Sequence, residues 1–325
     1  MSTKSNFVTV CLKGTSQVFF MENILTGLLF FAAMAFASYT TGIWATTIGA
    51  LLGVVVATFV AQIVNLDKES VNSGLYGFNG ILVGAALPTF VDVSLLLWFY
   101  VVIGAAASTI VTAAFSSTLT KTWNIPGSTG PFVLTAWLLV AGAYSFGGLE
   151  LISEAPALST DYTQGQVMLP SGMELVQIFF KNIGQVYLLG SAISGAIILI
   201  GIFIASRPAG VAAMAGSLIA MVVSIGMGAD PADVSQGLYG FSAVLTAMAV
   251  GVIFLKPSWR VAIYAGIATI VTVFVQAAMD VTMLVDGLPS FTAPYVLTMY
   301  LFIAPKKLAA PHPHRVIQSE HLTSD

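Results

Sequence analysis

Long apolar stretches separated by short polar breaks run along most of this chain. A helix needs about 20 apolar residues to cross the hydrocarbon core of a bilayer, so the pattern predicts an all-α polytopic membrane protein. The stretches at 74–90 and 288–304 are short and begin or end at Gly and Pro, which is typical of broken or re-entrant helices. Ten stretches are counted: 18–39, 42–64, 74–90, 93–116, 125–145, 185–205, 208–228, 237–255, 260–279 and 288–304.

Three motifs occur twice and in the same order. Two of them return after 163 residues and the third after 168 residues. They are Gly-Leu-Tyr-Gly-Phe at 74–78 and 237–241, Ile-Pro-Gly-Ser-Thr-Gly-Pro-Phe at 125–132 with Leu-Pro-Ser-Phe-Thr-Ala-Pro-Tyr at 288–295, and Gln-Val-Phe at 17–19 with Gln-Val-Tyr at 185–187. We therefore expect an internal duplication.

The basic residues predict an orientation. If the N-terminus lies inside and every stretch crosses once, ten of the eleven Lys and Arg residues fall inside, and only Lys181 falls outside. Cytoplasmic loops carry such an excess, whereas nine acids, Asp280 among them, fall in outside loops. Five crossings per half is an odd number, so the second half is expected to be inverted, an arrangement found in transporters with a site between the repeats.

The chain is accordingly divided into five parts. Because the first apolar stretch is too long for a signal peptide, we interpret it as a retained span. The predicted parts are a cytoplasmic N-terminal segment (1–16), a first membrane repeat (17–145), an external linker (146–184), a second membrane repeat (185–304) and a cytoplasmic C-terminal tail (305–325).

Composition narrows the classes of function. Hydrophobic residues make up 57% of the chain and charged residues 8%, with a mean hydropathy of +0.93, whereas soluble proteins are about 25% charged. The net charge of −3 and the absence of a basic run argue against nucleic acid. Cys11 is the single cysteine and all three histidines follow residue 311, so no metal site or cofactor is predicted in the apolar stretches.

The most informative chemistry is a doubled Pro-x-x-Thr-x-Pro pattern centred on Thr129 and Thr292. A proline inside a helix removes an N–H and frees a carbonyl, and in lipid such backbone must face protein or a water-filled cavity. We expect both hydroxyls, with freed carbonyls, to form a site near the axis relating the halves. The alternative is that each hydroxyl bonds only its own helix, as membrane threonines often do.

Glu22 is the one acid inside an apolar stretch, which by default makes it a functional candidate. Its counterpart in the second half is Gly190. Because the carboxylate is not repeated, we expect a structural hydrogen-bonding role rather than proton coupling.

The doubled pattern resembles the signature of the urea transporter family, Leu-Pro-x-x-Thr-x-Pro-Phe, with Ile125 in place of Leu and Tyr295 in place of Phe. The stretch Gln-Val-Phe-Phe-Met-Glu-Asn at 17–23 and the Gly-Leu-Tyr-Gly-Phe repeat are similar to the same family. The resemblance runs from about Gly14 to Pro305.

This resemblance implies a homotrimer in the cell inner membrane, with one pore per protomer through which urea moves down its gradient. It places Thr129 and Thr292 at the centre of the pore and Gln17 and Gln185 at the outer sites, although many bacterial members carry Glu at the position of Gln185. Flat apolar slots are implied at Phe20, Phe78, Leu82, Leu188, Phe241 and Leu245, with Val18 and Val186 nearby.

The residues themselves leave other functions open. An ion-coupled secondary transporter shares inverted repeats and broken helices but would need titratable groups in its core. A channel for short amides or ammonia is a further alternative, although the core lacks the histidines of a paired-His ammonium path. A membrane enzyme is disfavoured because no span contains paired carboxylates or a Ser/His/Asp set.

Overall fold

The computed structural model describes residues 6–152, 170–284 and 287–305. Within these residues the regular structure is helical, apart from one isolated β-bridge between Val91 and Leu151. This confirms the all-α prediction. Five helices are long and apolar enough to cross a membrane, and a sixth span is added if one pair bent by 73° is counted as a single crossing. The protein is therefore a multi-pass membrane protein.

The described residues form two compact units, one made of residues 6–152 and the other of residues 170–305. In the first unit a π-helical turn at Ser116–Thr120 joins the sixth and seventh helices. The helices are α1 (Phe7–Gln17), α2 (Ile24–Thr41), α3 (Ala45–Ile63), α4 (Lys68–Asn72), α5 (Gly77–Phe90), α6 (Leu95–Phe115), α7 (Lys121–Trp123) and α8 (Gly130–Ala143).

The second unit repeats this order of long and short helices. A 3₁₀ turn at Gln185–Tyr187 follows its first helix, and a π-helical turn at Ala249–Ile253 extends its fifth. The helices are α9 (Gly172–Gly184), α10 (Ala192–Ala205), α11 (Arg207–Gly226), α12 (Pro231–Gln236), α13 (Phe241–Met248), α14 (Trp259–Leu284) and α15 (Ala293–Ile303).

Small residues allow the central helices of the first unit to approach backbone to backbone. Helix α5 buries every residue from Gly77 to Pro88, as expected of a helix that is apolar on all sides. A Cβ added at Gly49 or Gly53 of α3 would overlap a carbonyl oxygen of α5. Small residues spaced by four are a common means of close helix packing in membranes, and here they place α5 at the centre of the unit.

The same backbone turns recur in both units at the spacing of the sequence motifs. Five pairs of residues, 163 or 168 positions apart, have positive φ in both members. They are Phe20 and Leu188, Asn65 and Gly228, Gly74 and Gly237, Asn124 and Gly287, and Ser128 and Phe291. Each unit thus carries the same breaks between its helices.

Two predicted boundaries differ from the structure. Residues 7–17 form α1, which buries Val10, Cys11 and Gly14, so most of the predicted N-terminal segment is packed helix. The predicted linker 146–184 contains α9, which packs on α10 and α11. Both helices were missed because they are less apolar than the spans that follow, so neither extends an apolar stretch.

The short helices are more numerous than the sequence suggested. The stretches 125–145 and 237–255 were expected to be full crossings, but α8 has 14 residues and α13 with its π turn ends at Ile253. Together with α5 and α15 they make four short apolar helices. The apolar stretches are longer than these helices because each begins with non-helical backbone, which the sequence pattern does not distinguish.

Candidate functional site: a matched half-site in each unit

The first signature loop is a sharp turn that leads into α8. Ser128 has φ +48°, and Thr129 is the residue before the helix, with its carbonyl accepting from the Val133 amide at 2.9 Å. Pro131 lies in the first turn of α8, where the missing N–H is not needed. The expectation of a proline inside a helix is therefore wrong, because Pro131 starts the helix rather than interrupting it.

The second signature loop has the same form. Phe291 has φ +47°, the Thr292 carbonyl accepts from the Val296 amide at 3.0 Å, and Pro294 lies in the first turn of α15. A short helix with its N-terminus at the loop directs its first amides and its positive dipole end toward that loop. Each signature threonine therefore stands at the positive end of a short apolar helix.

Thr129 and Thr292 are both buried, with 1% and 3% of their surface exposed. Neither side chain accepts a hydrogen bond from the first-turn amides of the helix that it precedes. Both threonines therefore lie at a helix start rather than within a helix.

The glutamine pair makes equivalent hydrogen bonds in the two units. Gln17 Nε2 donates to the Ser73 carbonyl at 3.0 Å, and Gln185 Nε2 donates to the Gln236 carbonyl at 2.8 Å. Because the nitrogen of each amide is used in this way, its oxygen is the end left to accept from another donor. Both carbonyls lie directly before the glycine that opens the Gly-Leu-Tyr-Gly-Phe motif.

Beyond each glutamine the chain reverses through a left-handed residue. Phe20 has φ +64° and Leu188 has φ +60°, a conformation that costs a residue with a Cβ about 1–2 kcal/mol. The Phe20 amide donates to the Gln17 carbonyl at 2.8 Å, and the Leu188 amide donates to the Gln185 carbonyl at 2.9 Å. Val18 and Val186 are buried inside these turns, whereas Phe20 and Leu188 are partly exposed.

The remaining candidates lie at the start of α5 and α13. Phe78 and Leu82 are four residues apart on α5, and Phe241 and Leu245 are four residues apart on α13, so each pair shares a helix face. The two phenylalanines are 9% exposed and the two leucines are fully buried. Each unit thus presents one aromatic ring and one aliphatic side chain in the same order.

Asn79, which the sequence reasoning missed, joins these parts in the first unit. It follows Phe78 on α5, is fully buried, and donates through Nδ2 to the Ser128 carbonyl at 3.4 Å. Its Oδ1 accepts from the Phe132 amide of α8 at 3.2 Å. The sequence signal that could have identified it is an asparagine in an otherwise apolar stretch, directly after a repeated motif.

In the second unit the corresponding link comes from α14 instead. Gln276 Nε2 donates to Ser290 Oγ at 2.7 Å and to Asp280 Oδ1 at 2.8 Å. Asp280 was expected in an outside loop but lies within α14. Neither Gln276 nor Asp280 belongs to a repeated motif, so repeat analysis could not identify them.

Glu22 lies in the break between α1 and α2 rather than within a span. Its Oε1 pairs with Lys13 Nζ of α1 at 2.6 Å, and 43% of its side chain is exposed. Lys181 occupies the position equivalent to Lys13 in the second unit and donates to the Ser235 carbonyl at 3.0 Å. The Lys13–Glu22 pair closes the turn after Gln17, in agreement with the expected structural role.

Comparison with known proteins gives one consistent result. The family model described as "Urea transporter" matches residues 8–307. Urea transporter 1 of Capra hircus is 29% identical over 305 residues, and that of Ovis aries is 28% identical over 305 residues. Each alignment covers 91% of this chain and 76% of the relative. The chain belongs to the urea transporter family, as the signature resemblance predicted.

Proposed function

We propose that this protein is a passive, channel-like transporter that conducts urea down its concentration gradient. The observation that carries the proposal is the matched pair of half-sites in a member of this family. Each half-site combines a buried threonine at the start of a short helix with a glutamine whose amide nitrogen is already bonded to a backbone carbonyl.

The chemistry of the half-sites suits urea. Urea is planar and neutral and carries four N–H donors, so it needs acceptors on both sides of a narrow apolar passage. We place Thr129 and Thr292 at the centre of the path and the Gln17 and Gln185 oxygens at its outer sites. Leaving a donor unpaired in a buried place costs about 1–3 kcal/mol, so acceptors spaced along the path keep the barrier low.

Apolar side chains complete the proposed path. Aromatic and aliphatic walls form slots that admit a flat molecule and exclude a hydrated ion, because they offer nothing to replace its water. The proposed wall residues are Phe20, Phe78, Leu82, Leu188, Phe241 and Leu245, with Val18 and Val186 beside them.

Ion coupling has little support in the described residues. A coupled transporter needs a carboxylate or a similar group that can take up the coupling ion. The Glu22 carboxylate is paired with Lys13, and the Asp280 carboxylate accepts from Gln276. We therefore favour a channel, with ion-coupled transport and passage of short amides or ammonia as the alternatives that the flux measurement separates.

The setting of the path is also proposed. The family resemblance supports a homotrimer in the inner membrane with one pore per protomer. The ten-to-one distribution of Lys and Arg supports cytoplasmic termini, an inverted second repeat and an external position for the 146–184 segment.

Passive conduction predicts that urea flux ignores ion gradients. In proteoliposomes, isotopic urea should equilibrate at the same rate with or without an imposed proton or sodium gradient. Accumulation of urea above its external concentration, driven by either ion, would contradict the channel. Parallel measurements with acetamide and ammonia determine whether these small neutral molecules share the path.

The proposed orientation predicts which thiols an impermeant reagent can reach. Cys11 is buried, and a Cys11→Ala background removes it altogether. In that background, Ser159→Cys should label from outside intact cells whose outer barrier is permeabilised, whereas Ser319→Cys should label only after the inner membrane is opened. The reverse pattern would refute the orientation.

Replacing the two glutamines should slow flux without unfolding the protein. Gln17→Leu and Gln185→Leu keep similar bulk but remove both the accepting oxygens and the bonds to the Ser73 and Gln236 carbonyls. Gln→Glu at either position keeps an acceptor and serves as the matched control. We expect the double Leu variant to lose flux while its melting temperature stays close to the wild type; unchanged flux would assign both residues to packing.

Replacing the signature threonines should have the largest effect. Thr129→Val and Thr292→Val keep the shape but delete one acceptor, a loss of about 1–3 kcal/mol that corresponds to a roughly five- to hundredfold lower rate if the centre limits flux. Thr→Ser keeps the hydroxyl and should transport far better than Val. The measurement is urea flux at matched protein content, and Val variants as fast as wild type would remove both hydroxyls from the mechanism.

A further inference from the structure

Both signature loops hold a strained residue that needs external support. Ser128 and Phe291 have φ of +48° and +47° although neither is glycine. Such a conformation persists only where the surrounding structure fixes it. The residue that follows each of them is the signature threonine, so whatever holds the strained residue also sets the position of the hydroxyl.

The first loop is held by a neutral amide. Asn79 uses both ends of its side chain, donating to the Ser128 carbonyl and accepting from the Phe132 amide. It also donates to Thr112 Oγ1 at 3.0 Å, which ties it to α6. No charged group takes part in this set of bonds.

The second loop lacks this support. The position equivalent to Asn79 is Ser242, which is fully buried and whose hydroxyl has no hydrogen-bond partner within the described part of the chain. The polar atom of serine is one bond closer to the backbone than those of asparagine, and here the Ser242 hydroxyl does not form the equivalent bonds to the loop. The second loop must therefore be fixed by other groups.

Those groups are on α14. Gln276 is 2% exposed and donates to Ser290 Oγ and to Asp280 Oδ1, and the Ser290 hydroxyl is also bonded to the Asp280 carboxylate. The three side chains form a closed ring, and Ser290 lies directly before the strained Phe291. The first loop cannot use this device, because Gly127 stands at the position of Ser290 and a Cβ there would lie 3.2 Å from Phe115 Cβ.

We propose that Gln276 and Asp280 are positioning residues that fix Thr292 through Ser290, a role that Asn79 performs for Thr129 in the first unit. The inference rests on the proposed function, since it assigns a purpose to Thr292. It makes the two chemically equivalent threonines unequal, because one depends on a neutral amide and the other on a carboxylate.

The carboxylate determines how the ring is arranged. Both hydrogens of the Gln276 amide nitrogen are directed to acceptors, while its oxygen is buried without a partner within the described residues. An ionised Asp280 can only accept, so it selects this orientation of the amide. Asp280 interacts electrostatically with Asp233 of α12, whose carboxyl pKa is raised by burial and by Asp230. No basic side chain pairs with Asp280 among the described residues.

A double-mutant cycle tests the role directly. Gln276→Met should lower urea flux about three- to tenfold at matched trimer content, in line with the loss of buried hydrogen bonds. Combined with Thr292→Val, the further loss should be much smaller than the product of the single effects, because the hydroxyl is already misplaced. Combined with Thr129→Val, the effects should multiply, since that threonine is held by Asn79.

Three further variants provide controls. Ser290→Ala removes the same link from the loop side and is mild enough to assemble if Gln276→Met does not. Gln276→Glu with Asp280→Asn exchanges the amide and the carboxylate and should restore flux lost in either single variant. Thr282→Val, on the exposed side of α14, removes a hydroxyl bonded only to Ala278 and Met279 of its own helix and should change nothing.

The outcomes separate this inference from the proposed function. If the wild type conducts urea and the Ser290→Ala and Gln276→Met variants conduct it equally fast, the inference is overturned and the proposed function stands. If Gln276→Met lowers the flux by the same factor in the Thr129→Val and Thr292→Val backgrounds, the three side chains serve general stability. That result would also overturn the inference. Absence of urea flux in the wild type would overturn the proposed function and this inference with it.

Discussion

Every backbone polar group inside a membrane must be bonded within the protein, and this constraint governs the structure. Helices satisfy it automatically, but the signature loops and the turns after Gln17 and Gln185 do not. Side-chain amides bond several carbonyls at such breaks: Asn79 donates to the Ser128 carbonyl, and Gln17 and Gln185 donate to the carbonyls of Ser73 and Gln236. Carbonyls that are not used in a helix are exposed at these breaks, which is where a solute could find acceptors.

The two units share the shape of each break but not the groups that hold the signature loops. The left-handed residues recur at the same spacing in both units, and so do the glutamine bonds to the carbonyl before Gly74 and Gly237. The groups that hold the signature loops do not recur. A backbone turn specified by motif residues can thus be kept while its support is replaced from a different neighbouring helix.

The sequence predicted the features that depend on local pattern. Long apolar stretches indicated the fold class and most of the segments, and the repeated motifs marked both signature loops. It could not reveal that Pro131 and Pro294 start helices, because a proline in the first turn and one in the interior look alike without the helix boundary. Asn79 and Gln276 were also missed, since their roles depend on contacts 49 and 14 residues away along the chain.

The charges and neutral polar groups are separated in a way that suits a neutral solute. Lys13 and Glu22 neutralise each other, and the groups proposed to meet the solute are amides, hydroxyls and apolar walls. A bare charge in such surroundings would bind a counter-charge tightly and stall it. Binding at millimolar strength is worth only about −4 kcal/mol, which a few neutral hydrogen bonds supply after desolvation, and a solute held this weakly can leave as readily as it enters.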